Sequence, residues 1–396
     1  MKIVNFLFYL IQFIIGIHLI FPMLLYGIFK IRKGFSSKVR LGTTEFGRPV
    51  DYAIIVTAYQ QTDQLPEAVG SLLKMRYPQY HIYVVADNCD ISSLSIDDPK
   101  VLILRPEQVL ASNTKSHFYA IRHFIRPHDR LVIIDSDNLA HPDLLNQLST
   151  CFDHGFLAVQ GTRLAKNLDT DLARLDAARD IYYHFYDGKV LFGAGSSATL
   201  AGSGMAFQTA LYRECLEHLS IEGAGFDKVL QAEILRRGHR IAFAPEAIVY
   251  DEKTTASQQL VGQRARWINT WFKYFGYGFD IFGKGLLRFN WNQILFGIVL
   301  LRPPLFIFLL LSVLLGAINI FFSPLVAIVW LVGLLLFVFG FGLSLVLSDT
   351  DRRIYSSLTK VPQFVFYQLA ALLKVRKANK ISVATRHGSG TPQSDS

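Results

Sequence analysis

Two carboxylates separated by one residue are the strongest chemical signal in the sequence. Asp135 and Asp137 lie in the run IIDSDN, directly after an apolar segment that predicts a buried strand. Hard divalent cations such as Mg²⁺ and Mn²⁺ prefer carboxylate oxygens and often bridge to substrate phosphates. The pair therefore predicts a metal site that neutralises a departing diphosphate, although a polar turn with two capping aspartates has the same sequence.

Three other polar residues lie near predicted strand ends or helix starts. Tyr59 and Asp87 each follow an apolar run, and a carboxylate at Asp87 can accept a hydrogen bond from the N–H group of a uracil. Lys115 lies early in a predicted helix, where its charge suits a phosphate. Asp in turns and Lys on exposed helix faces are also common without any ligand.

Two further groups come later in the chain. Asp227 precedes a helical pattern, so it is either a helix cap or a general base for a hydroxyl nucleophile. The run QRARW contains Gln263, Arg266 and Trp267, which combine forked donors for phosphate with a flat apolar face for a sugar or base. Such residues are also ordinary beside a membrane, so their position is more informative than their composition.

An α/β sheet is the element expected to bring these residues together. Short apolar runs predict four buried strands, at residues 53–56, 82–85, 101–104 and 131–134. Helical patterns separate them, which favours a largely parallel sheet. Ligands bind beyond the carboxyl ends of such strands, so Tyr59, Asp87 and Asp135 are expected at one edge.

Two segments after these strands have distinctive compositions. Residues 162–192 are predicted as a long amphipathic helix rich in Tyr and Phe. Residues 193–204 are rich in Gly, Ser and Ala, which predicts a loop that approaches a ligand closely.

Two long uncharged stretches predict membrane helices in a chain of 396 residues, 51% of which are hydrophobic. Because a span needs roughly 20 apolar residues, residues 4–29 supply one helix and residues 303–348 supply two. A cleaved signal peptide is the alternative for the first stretch. Its apolar part is longer than usual and no small-residue cleavage site precedes Lys30, so a retained anchor is expected.

The distribution of Lys and Arg predicts the orientation in the membrane. Basic residues follow the first span and the last span, whereas the turn between the second and third spans has no charge. Positive residues favour the cytoplasmic side, so the N-terminus is expected outside and residues 31–290 in the cytoplasm. The predicted protein is a multi-pass protein of the cytoplasmic membrane.

The predicted division of the chain follows from these patterns. It comprises a transmembrane helix (1–30), a basic linker (31–50), a cytoplasmic domain (51–284), an interfacial helix (285–302), two transmembrane helices (303–348), a basic interfacial helix (349–378) and a disordered tail (379–396).

The charge balance and the cysteines exclude other classes of protein. Much of the net charge of +9 is juxtamembrane, where it would meet anionic lipid headgroups, and the basic residues form no long soluble stripe. Nucleic acid is therefore not an expected partner. Cys89, Cys151 and Cys215 are odd in number and lack metal-ligand spacing, as is typical of reduced cytosolic thiols.

The ordered set of motifs resembles the family 2 membrane glycosyltransferases of the cellulose, chitin, hyaluronan and poly-N-acetylglucosamine synthase type. The resemblance rests on VTAY at residues 56–59, VAD at 85–87, DSD at 135–137, Asp227 and QRARW at 263–267, and covers roughly residues 50–280. It implies a Rossmann-like GT-A fold inserted between transmembrane helices, a UDP-sugar donor and a divalent metal, Mg²⁺ or Mn²⁺. It also implies an inverting transfer of a hexose or N-acetylhexosamine that forms a β-glycosidic bond.

The resemblance also assigns roles by position. Thr57 and Lys115 join the substrate-binding residues, and Tyr59 and Asp87 would hold the nucleoside. Asp135 would contact the donor and, with Asp137, the metal. The acceptor side is implied by the later motifs: Asp227 would deprotonate the acceptor hydroxyl, and Gln263, Arg266 and Trp267 would hold diphosphate and acceptor sugar.

The sequence departs from the family pattern at two positions. The family usually has Glu before its catalytic Asp, whereas Phe226 precedes Asp227 here. The residues before Lys115 lack the glycine that the family often has. The first departure puts the assignment of the base in doubt.

The acceptor stays open at the level of sequence. Three spans are fewer than processive synthases generally use, so a growing polysaccharide, which we favour, would need an export partner. The alternative is transfer of one sugar to a lipid, as in ceramide glucosyltransferases. A catalytically inactive nucleotide-sugar scaffold is a further hypothesis, and a nucleotidyltransferase offers no role for Gln263, Arg266 and Trp267.

Overall fold

A computed structural model describes residues 2–35, 50–92 and 94–374. Within them, eight strands form one mixed sheet. The strands are β1 (Tyr52–Tyr59), β2 (Tyr80–Asp87), β3 (Val101–Leu104), β4 (Arg130–Asp135), β5 (Leu139–Ala140), β6 (Ala158–Ala165), β7 (Met205–Gln208) and β8 (Ile241–Asp251). Their order is β3-β2-β1-β4-β7-β6-β8-β5.

The first part of the sheet confirms the strand predictions. Strands β3, β2, β1 and β4 are all parallel. Alternate residues of β1 enter different cores, Ile55 on one face and Ile54 and Val56 on the other. Burial on both faces explains why this strand is an unbroken apolar run.

The second half of the sheet is mixed rather than parallel. Strand β7 is antiparallel to both β4 and β6, and β5 is antiparallel to β8, whereas β6 and β8 are parallel. The antiparallel β7 reverses the chain direction in the middle of the sheet, and no periodicity in the sequence indicates this.

Helices cover the sheet and continue from it. They are α2 (Leu65–Leu73), α3 (Asn113–Arg122), α4 (Leu144–Asp153), α5 (Asp171–Tyr183), α6 (Leu191–Gly193), α7 (Thr209–Leu216), α8 (Phe226–Arg236), α9 (Ser257–Tyr274), α10 (Gly276–Leu287), α11 (Trp291–Leu301), α14 (Arg352–Ser357) and α15 (Val361–Lys374). A π-helical turn spans His184–Val190, and a 3₁₀ turn spans Leu358–Lys360.

The prediction of one helix over residues 162–192 is wrong at its start. The chain is still in β6 as far as Ala165, which pairs with Asp251 of β8. Helix α5 begins only after Thr170, whose hydroxyl oxygen accepts a hydrogen bond from the Ala173 N–H at 3.2 Å. Pairing with a distant strand overrides the local helical pattern there.

Three of the described helices are long and apolar enough to cross a membrane: α1 (Lys2–Phe35), α12 (Leu305–Phe322) and α13 (Pro324–Val346). Inside this bundle the Gln12 side-chain oxygen accepts hydrogen bonds from Asn319, at 2.7 Å, and from Trp330, at 2.9 Å. These bonds join all three helices where no water competes. The orientation of the bundle stays a prediction.

The membrane helices and the sheet domain share one apolar core. Leu19 and Leu25 of α1 and Phe337 of α13 pack in the same cluster as Tyr182 and Tyr186. The Tyr186 hydroxyl also donates to the backbone oxygen of Gly340 at 2.9 Å. The sheet domain is thus held directly against the apolar helices.

The remaining predicted segments differ in how far the structure describes them. Residues 285–302, predicted as one interfacial helix, contain the end of α10 and all of α11, with a break at Phe289, whose φ is +51°. Residues 349–374 contain α14, the 3₁₀ turn and α15. Most of the predicted linker, and all of the predicted tail, lie outside the described residues.

Candidate active site

A cleft of about 620 Å³ opens beyond the carboxyl ends of β1 and β4. Eight residues singled out from the sequence line it: Thr57, Tyr59, Asp135, Asp137, Asp227, Gln263, Arg266 and Trp267. Asp87 and Lys115 do not line it. Side chains that are far apart in the sequence therefore share one cavity.

Parallel strand pairing produces the first part of this convergence. Thr57 of β1 lies opposite Asp135 of β4, and Tyr59 lies opposite Asp87 of β2. Because parallel strands end at one edge, the residues that follow each apolar run meet there, as predicted.

The Asp135–Asp137 pair forms a negatively charged end of the cleft. Asn138 donates hydrogen bonds to Asp137, at 2.9 Å, and to Asp251, at 3.1 Å, which ties the turn to β8. Burial and then the neighbouring Asp137 carboxylate raise the pKa of Asp135 to about 7. Carboxylates this close together favour a cation between them and a ligand.

The residues present fit a hard divalent cation that is shared with a ligand. Among the described residues, no group of three or more His, Cys, Asp or Glu side chains is arranged to hold a metal. Asp135 and Asp137 are carboxylates at the acidic end of the cleft. Mg²⁺ and Mn²⁺ sites of this type take their other oxygens from phosphates and water.

Asp87 is committed to the backbone rather than to the cleft. Its carboxylate accepts hydrogen bonds from the N–H groups of Leu110, at 2.9 Å, and Ala111, at 2.7 Å, and the residue is only 2% exposed. These bonds stabilise Ala111 at a φ of +44°, in the turn that leads into α3. From α3 it is Asn113, not Lys115, that reaches the cleft.

Asp227 lies in the first turn of α8, which begins after Gly225 in a left-handed conformation. Its carboxylate is 3.1 Å from the ammonium group of Lys228, which also donates to the backbone oxygen of Leu200 at 3.2 Å. Phe226 packs edge-on against the buried His117 ring, with 5.0 Å between the ring centroids. Phe226 therefore packs into the core, and the neighbouring Asp227 lines the cleft.

Helix α9 supplies the opposite wall. Gln263, Arg266 and Trp267 lie three and four residues apart, which places them on one face of the helix. The guanidinium carbons of Arg179 and Arg264 lie over the Trp267 ring, 4.4 and 4.2 Å from its centroid. Trp267 itself remains 37% exposed.

A largely buried ionic network forms part of the cleft lining, and sequence reasoning missed most of it. Its members are Arg163, Asp176, Arg179, Asp180, Asp251, Lys253 and Arg264. Although burial alone would raise it, Arg163 and Lys253 hold the pKa of Asp251 well below its ordinary value. The only available signal was the charge of the run DEK at residues 251–253, because the partners come from β6 and α5.

The network joins separate elements through short contacts. Asp251 accepts from Arg163 at 2.5 Å and from Lys253 at 2.6 Å, and Lys253 also donates to Asp180 at 2.5 Å. Arg179 then bridges Asp180, at 2.5 Å, and the neighbouring Asp176. The network therefore fixes β6, β8 and α5 relative to each other beside the acidic end of the cleft.

The cleft continues towards the membrane helices. Its lining includes Tyr274 and Tyr277, then Pro304 and Phe306 at the start of α12, and Gln368 of α15. The cavity thus extends from the acidic sheet edge to aromatic and apolar side chains, interspersed with Arg302 and Gln368, at the start of α12.

Comparison with known proteins gives a consistent result. Residues 49–270 match the family described as "Glycosyltransferase like family 2". No curated protein sequence matches the chain significantly.

The solved structures that resemble this one include two glycosyltransferases. The mannosyltransferase PcManGT from Pyrobaculum calidifontis, solved with GDP-Man and Mn²⁺, is 16% identical with a TM-score of 0.57; the match covers 92% of this chain and 98% of that one. S. aureus TarS 1-349 with UDP-GlcNAc is also 16% identical, with a TM-score of 0.40, over 52% of this chain and 60% of that one. The first likeness identifies a GT-A fold flanked by apolar helices.

Proposed function

The chain belongs to the family 2-like glycosyltransferases, and we propose that it transfers a hexose or N-acetylhexosamine from a UDP-sugar, with inversion, at the cytoplasmic face of a membrane. One observation carries this proposal. Asp135, Asp137, Asp227, Arg266 and Trp267 come from three different parts of the chain and line one cleft.

The donor would bind at the acidic end of the cleft. Asp135 and Asp137 would hold Mg²⁺ or Mn²⁺, which supplies positive charge to the departing diphosphate when it is bound. Arg266 and Gln263 would donate to phosphate oxygens from the opposite wall. Tyr59 would contact the nucleoside, whereas the bonds of Asp87 to Leu110 and Ala111 support a role in shaping the turn beside it.

Asp227 would act as the general base. The acceptor hydroxyl oxygen forms a bond to the anomeric carbon while the bond from that carbon to the diphosphate breaks, and the hydroxyl proton passes to the Asp227 carboxylate. Attack from the face opposite the leaving group inverts the anomeric carbon. An α-linked donor then gives a β-glycosidic product.

The membrane side of the cleft bears on the acceptor. Because the lining continues onto Pro304, Phe306 and Gln368, an acceptor with a sugar head and an apolar tail fits it well. This lining favours the lipid acceptor as the second candidate function. Extension of a polysaccharide is the other hypothesis, and it requires an export partner in addition to this chain.

The deciding experiment is product analysis with purified protein in lipid nanodiscs. UDP-glucose, UDP-N-acetylglucosamine and GDP-mannose are offered with Mn²⁺, and products are identified by mass spectrometry. GDP-mannose is included because the similar mannosyltransferase was solved with it. A single added sugar on a lipid supports the lipid acceptor, and a ladder supports the polysaccharide.

Two substitutions test the assigned chemistry. Asp227→Asn is expected to slow turnover about 10³-fold, the typical contribution of a general base, with donor affinity retained. Asp137→Asn is expected to weaken metal-dependent donor binding itself. Asp63→Asn, at an exposed position outside the cleft, is the matched control. Turnover at the wild-type rate in both site variants contradicts the mechanism, and donor binding without turnover by the wild type favours an inactive scaffold.

A further inference from the structure

The buried ionic network beside the cleft contains four cationic and three acidic residues. Arg163 and Lys253 pair with Asp251, Lys253 and Arg179 pair with Asp180, and Arg179 also contacts Asp176, with 3.0 Å between the Arg179 Nε and an Asp176 carboxylate oxygen. Each of the three carboxylates thus has a cation before Arg264 is counted. Arg264 is the fourth cation, and it shares Asp176 with Arg179.

Arg264 is buried with only part of its hydrogen-bonding capacity used. The residue is only 3% exposed, and its Nε and Nη1 atoms have no hydrogen-bond partner among the described residues. Burial and then the nearby Arg179 lower the pKa of Arg264 to about 10. The ion pair with Asp176 therefore accounts for only one of the three guanidinium nitrogens of Arg264.

The neighbours of Arg264 point to its role. Its Nη2 donates to Asp176 of α5, and its guanidinium carbon lies 4.2 Å from the centroid of the Trp267 ring, on the next turn of α9. A guanidinium within about 6 Å of an indole is attracted to its π face, most strongly away from water. Arg264, together with Arg179 at 4.4 Å, thus connects the fixed network to the partly exposed ring of Trp267.

We propose that Arg264 is a positioning residue, which holds the Trp267 indole in the orientation that binds the acceptor sugar. Asp176 fixes the guanidinium, and the guanidinium fixes the ring. The inference rests on the proposed function, because it takes Trp267 as the acceptor contact. Because Arg264 contacts Asp176 and Trp267, its loss is expected to change acceptor binding and to leave donor binding intact.

The test uses full-length protein in nanodiscs. It compares three single variants, Arg264→Met, Arg264→Lys and Trp267→Phe, with the double variant that combines Arg264→Met and Trp267→Phe. The Trp267 emission is obtained by subtracting the spectrum of the matching Trp267→Phe protein. Arg264→Met is expected to change that emission and to weaken binding of octyl β-D-glucopyranoside about 10-fold. The 10-fold loss is the effect expected from removing a desolvated cation–π contact. The affinity for UDP with Mn²⁺ is expected to stay within about twofold of wild type.

Two comparisons separate positioning from a general structural role. Arg264→Lys keeps the charge but not the planar group, so its affinity for the sugar is expected to lie between those of wild type and Arg264→Met. In the Trp267→Phe background, Arg264→Met is expected to add little further loss, because the ring that it positions is absent. Arg213→Met, which removes an exposed ion pair with Glu217, is the control for losing an arginine.

Several results would overturn the proposal. The first is an unchanged Trp267 emission in Arg264→Met. The second is a double variant whose loss of sugar affinity equals the product of the losses in Arg264→Met and Trp267→Phe. The third is UDP binding that weakens as much as sugar binding. Arg264→Met leaves Arg179 as the cation paired with Asp176, so the variant is expected to fold. The emission change is measurable without turnover, so it remains decisive even where the proposed transfer fails.

Discussion

Replacing Gly225 with alanine tests how the base-bearing helix is set against α9. Gly225 has a φ of +102°, and an added Cβ would lie 2.6 Å from Thr270 Cγ2 and 2.7 Å from Tyr274 Cε2. Both neighbours are on α9, and Asp227 follows two residues later. The absence of a side chain at Gly225 is therefore what allows the two walls of the cleft to approach each other.

The expected magnitude has two parts. A left-handed backbone costs an alanine about 1–2 kcal/mol, and overpacking of this kind costs about 1–3 kcal/mol more. Gly225→Ala should therefore destabilise the fold by roughly 2–5 kcal/mol. Gly238, at the other end of α8, has a φ of +81° with nothing within 4 Å of an added Cβ, so Gly238→Ala has only the backbone part.

The effect on activity follows from the position of the strain. The contact is relieved by moving the start of α8 away from α9, which displaces Asp227 from Trp267. A displacement near 1 Å can lower a rate about 10²-fold, so kcat of Gly225→Ala is expected to fall by that order. Gly238→Ala, distant from the cleft, is expected to keep its kcat.

Thermal melting and initial rates in nanodiscs check this prediction. Thr270→Ser removes Cγ2 but keeps the hydroxyl, which donates to the Arg266 backbone oxygen at 2.9 Å, so it should partly rescue Gly225→Ala. Equal melting temperatures for the two glycine variants, or an unchanged kcat in Gly225→Ala, would refute the reasoning.

Two other predictions concern stability. Burial lowers the pKa of His117 to about 3, so below about pH 6.5 the unfolded chain gains a proton that the native state lacks. The free energy of unfolding therefore falls, through this residue, by up to about 1.4 kcal/mol for each pH unit below that. His117→Gln should flatten the pH dependence of the melting temperature, and an unchanged slope would contradict this. Gln12→Leu leaves the Asn319 and Trp330 donors in the bundle without their acceptor, so it should lower thermal stability by about 1 kcal/mol without changing kcat. Phe13→Leu, on the exposed face of α1, is its control, and equal melting of the two variants would count against the role of Gln12.

Much of the site was accessible from the sequence because its residues follow directly from strand periodicity. An apolar run that ends in Asp135 or Tyr59 identifies a strand and its carboxyl end. Parallel pairing then requires those ends to meet. The spacing of Gln263, Arg266 and Trp267 likewise requires one helical face. These relations depend on local backbone geometry, which is why they need no knowledge of distant contacts.

The tertiary structure determined which contacts each of these side chains makes. Asp87 lies at the predicted edge, but its carboxylate is taken by the turn at Leu110 and Ala111. Phe226, a departure from the family pattern, is explained by a ring contact with His117. The helix predicted from residue 162 starts later, because pairing between β6 and β8 is formed by residues about 80 positions apart.

The sequence alone therefore determined the elements, their order and the types of groups at their ends, since these depend on the periods of strands and helices. The ionic network was decided only by the fold. Arg163, Asp176 and Arg264 carry no signal of partnership along the chain, because ion pairing depends on distance in space. A buried charge without a partner is unfavourable, so these groups must pair once the fold buries them. For this reason the ionic lining of the cleft could not be predicted before the arrangement of the strands was known.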